Sequence, residues 1–126
     1  MAYLVKYQYS KAKKQVFNGV RYDSGFEAGY AKELTLRKMA GEIKDFEAHK
    51  GIDLIVNNHK VGIYYIDFVV YNNDDTITYV ETKGYPTPVW KLKWKIFEAM
   101  FADDPNVSLE LIMQKQFKMR SAKRLN

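Results

Sequence analysis

Two periodicities alternate along the chain. Residues 61–71, VGIYYIDFVVY, are apolar at most positions, and residues 76–83, TITYVETK, are rich in β-branched side chains. Both predict strands, the first with apolar groups on either face and therefore central in a sheet. The polar NNDD between them predicts the connecting turn. NVSLELIMQ (106–114) predicts a last strand, and 43–56 a strand or an interrupted pair with Gly51 as the break. Asn18-Gly19, set between short β-type runs, predicts a hairpin. Helical periodicity begins at Ser24, a suitable cap, with Glu27 at the third helical position as in a capping box and Gly41 as the stop. Ala31 and Leu34 follow Glu27 at helical spacing, which places Glu27 at the N-terminal end of an inward face. Thr87 and Pro88 predict the cap and first residue of a second helix reaching about Ala102. The order is hairpin, α, β, β, β, α, β, a sheet flanked by helices, α/β or α+β by class.

Composition narrows the class. The 126 residues suit one domain, and 47% hydrophobic content suits a folded one. No apolar run approaches the roughly 20 residues that span a bilayer. MAYLVKYQYSKAKK at the N-terminus lacks the apolar core of a secretion signal. Cysteine is absent, which excludes disulfides and thiolate metal sites. A cytoplasmic protein with no membrane association is expected.

The formal net charge of +5 is unevenly placed. All 15 acidic residues lie between Asp23 and Glu110; with ten cations in the same segment, the centre carries a net −5. The remaining ten cations, Lys13 and Lys14 among them, lie in the two ends. Basic ends on an acidic centre suggest a polyanionic partner, with solvated basic termini at about 1–14 and 115–126 as the simpler reading.

Asp67 interrupts an uncharged strand, and Glu81 and Lys83 stand in the next one. By alternation Ile63, Tyr65, Asp67, Val69 and Tyr71 share a face, as do Ile77, Tyr79, Glu81 and Lys83. A hairpin centred on Asp74 sets Asp67 directly across from Glu81. Two charges at that spacing, about 5 Å, repel by about 3 kcal/mol at an effective dielectric near 20. Protonation of one acid, a salt bridge from Lys83, or a divalent cation would relieve this. Oxygen ligands without sulfur favour a hard ion, Mg²⁺ or Mn²⁺. Such ions usually hold phosphates, which the basic ends would attract.

Asp67 followed by ETK at 81–83, with a glutamate on an upstream helix (SGFE), resembles the D…(D/E)xK signature of the PD-(D/E)XK nuclease superfamily. YDSGFEAGYAKEL, AGEIKDFE, YYIDFVVY and ETKGYPTPVWKLKWKIFE are similar, in order, to blocks of small phage and prophage proteins placed in that superfamily. The likeness runs from about Tyr7 to Ile112. Ile66 stands where the signature has proline, and His49 where glutamine is expected. The resemblance implies a restriction-endonuclease-like αβββαβ core with a central mixed sheet, plus an added N-terminal hairpin. It also implies Mg²⁺- or Mn²⁺-dependent hydrolysis of DNA, in phage recombination or replication, with branched DNA a candidate substrate. Asp67, Glu81 and the Thr82 carbonyl would hold the ion, the Thr82 side chain pointing to the opposite face. Lys83 would orient the attacking water, and Glu27 would bind a second ion or a water, against the rival role of capping alone.

Lys91, Lys93 and Lys95 follow on the second helix. Lys91 and Lys95 form a solvated stripe by spacing. Lys93 lies between the Val89/Leu92/Ile96/Met100 and Trp90/Trp94/Phe97/Phe101 stripes, where it would snorkel or reach phosphate. These lysines, with Lys13 and Lys14, are the candidate DNA contacts; Trp90 and Trp94 are expected in the core, and Tyr85 at the substrate entrance. A homodimer would suit a symmetric junction. The alternatives are a non-specific or nicking nuclease, and a nucleic-acid-binding protein that keeps the fold without cleavage.

Overall fold

The computed structural model describes residues 15–22 and 24–114. Its fold is α+β: a two-stranded hairpin, two helices and a four-stranded mixed sheet. Strands β1 (Gln15–Phe17) and β2 (Val20–Tyr22) form the hairpin, followed by helix α1 (Gly25–Met39). Strands β3 (Asp45–Val56), β4 (His59–Tyr71) and β5 (Ile77–Lys83) form an antiparallel meander. Helix α2 (Pro88–Phe101) then crosses over to β6 (Val107–Met113), which pairs parallel to β5. The expected element order holds. The basic ends at 1–14 and 115–126, with Lys13 and Lys14, lie outside the described residues.

Local chemistry sets the boundaries. Asn18 and Gly19 both have positive φ (51° and 77°), as a two-residue turn matching strand twist requires. Asn57 and Asn58 do the same (49° and 67°) between β3 and β4, a turn the sequence pattern left unread. Ser24 caps α1, its hydroxyl accepting from the Glu27 N–H at 3.2 Å. At the other end Gly41 has φ 77°, while the Gly41 and Glu42 amides return to the Lys38 and Arg37 carbonyls. A side chain there is strained. Gly41→Ala is therefore expected to cost about 1 kcal/mol and lower the melting temperature by several degrees; an unchanged thermal melt would contradict the cap.

Each face of the sheet carries one helix. Phe68, Val70, Val80 and Ile112 pack with Phe26, Tyr30, Ala31 and Leu34 of α1. Val69, Tyr64, Ile66 and Leu54 pack with Trp94 and Phe97 of α2. The inward stripe of α2 is Trp90/Trp94/Phe97/Phe101. Of the second predicted stripe, Ile96 and Met100 are partly buried, but Leu92 is 63% exposed and Val89 54%. Gly51 is not a break. It pairs with Tyr65, and an added Cβ would stand 3.2 Å from that ring, so the glycine gives the aromatic its seat. Among the described residues no helix is long and apolar enough to cross a membrane.

The real discontinuity lies at His49 and Asp67. Ala48 pairs with Phe68 and Lys50 with Ile66, so His49 and Asp67 stand opposite each other between those pairs. Tyr64 and Ile66 pack on the α2 side, whereas Phe68 and Val70 pack on the α1 side. Strict alternation would put all four on one face. The same reversal occurs on β3, where Phe46 and Ala48 meet the α1 cluster and Ile52 and Leu54 the α2 cluster. His49 has φ 59°, left-handed backbone that is uncommon for a non-glycine residue and turns the pleat over. The predicted common face of Ile63, Tyr65, Asp67, Val69 and Tyr71 is thereby overturned: Tyr65 is 69% exposed while Val69 is buried.

Candidate functional site

Four predicted residues come together where β4 and β5 part. The register is the one expected from a hairpin centred on Asp74: Tyr71 pairs with Ile77, Val70 with Thr78, Val69 with Tyr79 and Phe68 with Val80. The ladder ends there. In place of a next backbone pair, Asp67 Oδ2 accepts hydrogen bonds from the Thr82 N–H and from the Thr82 hydroxyl, both at 2.8 Å. The carboxylate thus replaces a strand carbonyl, and the gap between the strands is closed by a side chain.

This corrects two expectations. Asp67 and Glu81 do not face each other as a ladder pair. Nor does the Thr82 side chain point away from Asp67, because the pleat reversal brings that acid round to it, although it still points away from Glu81. Thr82 is paired with Ile112, which packs against α1, so its hydroxyl lies on that side. Glu81 lies on the α2 side. Its Oε2 accepts from Trp90 Nε1 at 2.9 Å, and that same N–H is shared with the Tyr64 hydroxyl at 2.8 Å. Lys83 holds its ammonium 4.9 Å from the centroid of the Trp90 ring.

Glu27 completes the group from α1. Its backbone N–H serves the Ser24 cap, while its side chain engages His49 Nε2 at 3.2 Å and bears on the Asp67 carboxyl, which it holds lower. Capping alone therefore does not account for this glutamate. His49 enters the site through Glu27 and also packs against the Tyr22 ring, centroids 5.3 Å apart.

Burial dominates the electrostatics. Glu81 is only 5% exposed, and loss of hydration pushes its carboxyl up to about 8 from an ordinary 4.5, with the charge of Asp67 adding to the rise. Lys83 and the hydrogen bonds of Tyr64 and Trp90 pull in the other direction. Asp67 is also raised by burial, against the two Thr82 bonds, Lys83 and Glu27. Burial and the neighbouring Glu81 charge raise the Tyr64 phenol. A buried carboxyl whose proton affinity is raised further by a second carboxylate is characteristic of functional sites, and also of structural ion-pair networks.

Glu81 Oε1 is buried with no hydrogen-bond partner among the described residues. A proton or a cation would satisfy it. The donor set of Glu81, Asp67 and Glu27 is all hard oxygen, which fits Mg²⁺ or Mn²⁺ rather than a softer metal. The three do not converge, however: among the described residues no group of three or more His, Cys, Asp or Glu is arranged to hold a metal ion. Asp67 is turned to Thr82 and Glu81 to Trp90.

The remaining candidates lie around this centre. Lys91, Lys93 and Lys95 are all exposed on α2, Lys93 included. Tyr85 is exposed on the loop before α2. Trp94 is in the core as expected, but Trp90 is only half-buried and belongs to the site, as does Tyr64. Trp90 stands nine positions after Glu81, on a helix the sequence defined but whose packing it did not. A tryptophan N–H that must find a partner when buried was the available signal.

Comparison with curated proteins and with solved structures returns no match for either. A family model described as "Protein of unknown function (DUF1064)" matches residues 5–121, which takes in both helices, every strand and all of the residues above. The chain belongs to the DUF1064 family.

Proposed function

We propose that this protein is a Mg²⁺- or Mn²⁺-dependent endonuclease that hydrolyses DNA phosphodiester bonds. The observation that carries the reading is Glu81: a buried carboxylate with one unsatisfied oxygen, beside Asp67 and Lys83, where the β4–β5 ladder opens. The order Asp67, Glu81, Lys83, with Glu27 arriving from a helix, is the arrangement that the resemblance to the PD-(D/E)XK superfamily leads one to expect. A bound divalent ion would supply Lewis-acid stabilisation of charge on the phosphoryl oxygens.

The chain's own groups have distinct tasks in this reading. Asp67 and Glu81 would hold the ion, and Thr82 fixes Asp67 through its N–H and hydroxyl. Lys83 orients the attacking water and offsets charge developing on phosphate. Glu27, tied to His49, orders the side of the site that faces α1. Lys91, Lys93 and Lys95, exposed on α2, would contact the DNA backbone, and such contacts position a duplex without reading its sequence. Such a protein acts in the cytoplasm.

A second reading is a DNA-binding protein that keeps the fold without cleavage, favoured by the failure of the three carboxyls to converge. One assay separates the two. The full chain is incubated with labelled duplex, single-stranded and four-way-junction DNA, in Mg²⁺ or in EDTA. Cleavage in Mg²⁺ that vanishes in EDTA is expected. Retention of DNA in a gel with no cleavage in Mg²⁺ or Mn²⁺ would favour the binding protein.

A further inference from the structure

The structure assigns Trp90 as the positioning residue of both Glu81 and Lys83, an inference that rests on the nuclease reading of the same site. A single side chain touches both. Its indole N–H donates to Glu81 Oε2 at 2.9 Å, so of the two carboxylate oxygens it is Oε1 that remains buried and unclaimed. Its ring face receives the Lys83 ammonium at 4.9 Å, a cation–π distance. The two residues that the reading assigns to ion binding and water orientation are therefore anchored to one rigid plane rather than to each other.

Trp90 is itself fixed. It lies in the first turn of α2, where its backbone N–H donates to the Thr87 cap hydroxyl, and its ring stacks on Trp94 with centroids 5.9 Å apart and planes at 18°. Trp94 is 7% exposed and packs with Tyr64 and Phe97. The chain of support runs from the core of α2 through two stacked indoles to Glu81. Carboxylates that bind metal are usually held by such a neighbour, and loss of one typically weakens the metal by about 10- to 100-fold.

The test measures the midpoint of the Mg²⁺-induced rise in melting temperature on the full chain. Trp90→Phe keeps a ring face for Lys83 and loses the N–H. It is expected to raise the half-saturating Mg²⁺ concentration about tenfold or more. Phe101→Leu removes a core ring of the same helix that packs on Tyr79 and Phe97, and should lower the melting temperature while leaving that midpoint in place. An equal midpoint in wild type and Trp90→Phe overturns the inference alone. No Mg²⁺ response in the wild type overturns the nuclease reading and the inference with it. A second measurement does not need Trp90→Phe to fold. The chain has two tryptophans, so Trp94→Phe leaves Trp90 as the sole tryptophan, excited at the red edge of indole absorption where the ten tyrosines do not absorb. Its emission should change with Mg²⁺ at the midpoint of the melting response, and constant emission across that titration would refute a contact between indole and ion-binding carboxylate.

Discussion

Asp67→Asn is expected to lower Mg²⁺-dependent DNA cleavage by about a thousandfold or more, equivalent to about 4 kcal/mol of transition-state stabilisation, and to abolish the rise in melting temperature that Mg²⁺ gives the wild type. The asparagine substitution is chosen for a structural reason. Asp67 accepts two hydrogen bonds from Thr82, and alanine would leave the N–H and the hydroxyl of a buried residue without an acceptor. Each such loss costs roughly 1–3 kcal/mol and would confuse loss of activity with loss of fold. The asparagine carbonyl can accept both bonds while contributing no charge. In EDTA the variant should therefore melt at or above the wild-type temperature, since a carboxylate that burial disfavours has been removed. Wild-type cleavage by Asp67→Asn would remove this residue from the site and leave its bonds to Thr82 as purely structural.

Glu81→Gln should make the metal-free protein more stable in alkaline buffer and insensitive to Mg²⁺. The sign follows from the direction of the shift. A carboxyl raised from 4.5 to about 8 on folding binds its proton more tightly in the native state. Its contribution to stability is complete below the unfolded value near 4.5 and is lost as pH rises through about 8. Each unit of difference is worth about 1.4 kcal/mol, so the loss amounts to a few kcal/mol across that window. Glutamine cannot ionise, and the variant loses this slope. Mg²⁺ has the opposite dependence, because it needs the carboxylate deprotonated and its effect grows as pH rises. Thermal melts at pH 5 and pH 8.5, with Mg²⁺ or EDTA, resolve all four conditions. Parallel pH profiles for wild type and Glu81→Gln in EDTA would show that Glu81 titrates normally, and the account of a strained ion-free site would fail.

Much of this fold is legible in single residues. Ser24 and Gly41 delimit α1, Thr87 and Pro88 open α2, and Asn18-Gly19 turns the first hairpin, because caps and turns depend on backbone conformations that few side chains favour. The β4–β5 register was legible too. Turn residues centred on Asp74 fix which residues oppose each other, and the four pairs from Tyr71↔Ile77 to Phe68↔Val80 follow from that centre. What alternation could not supply was the behaviour of the next residue. A strand period assumes an unbroken pleat, and at Asp67 the pleat turns over.

The sequence by itself determined the elements, their order, the hairpin register and the identity of the acids, since each depends on interactions between residues close along the chain. Only the tertiary structure decided where those acids point. His49 adopts left-handed backbone opposite Asp67, both strands exchange faces together, and Asp67 meets Thr82 rather than Glu81. Glu81 in turn is claimed by Trp90, whose indole N–H it shares with the Tyr64 hydroxyl, and packing of α2 against β4 brings these groups together from distant positions. Periodicity encodes which side a residue takes relative to its neighbours. Partners across the sheet are settled by how the layers pack, where one reversed residue alters every contact beyond it.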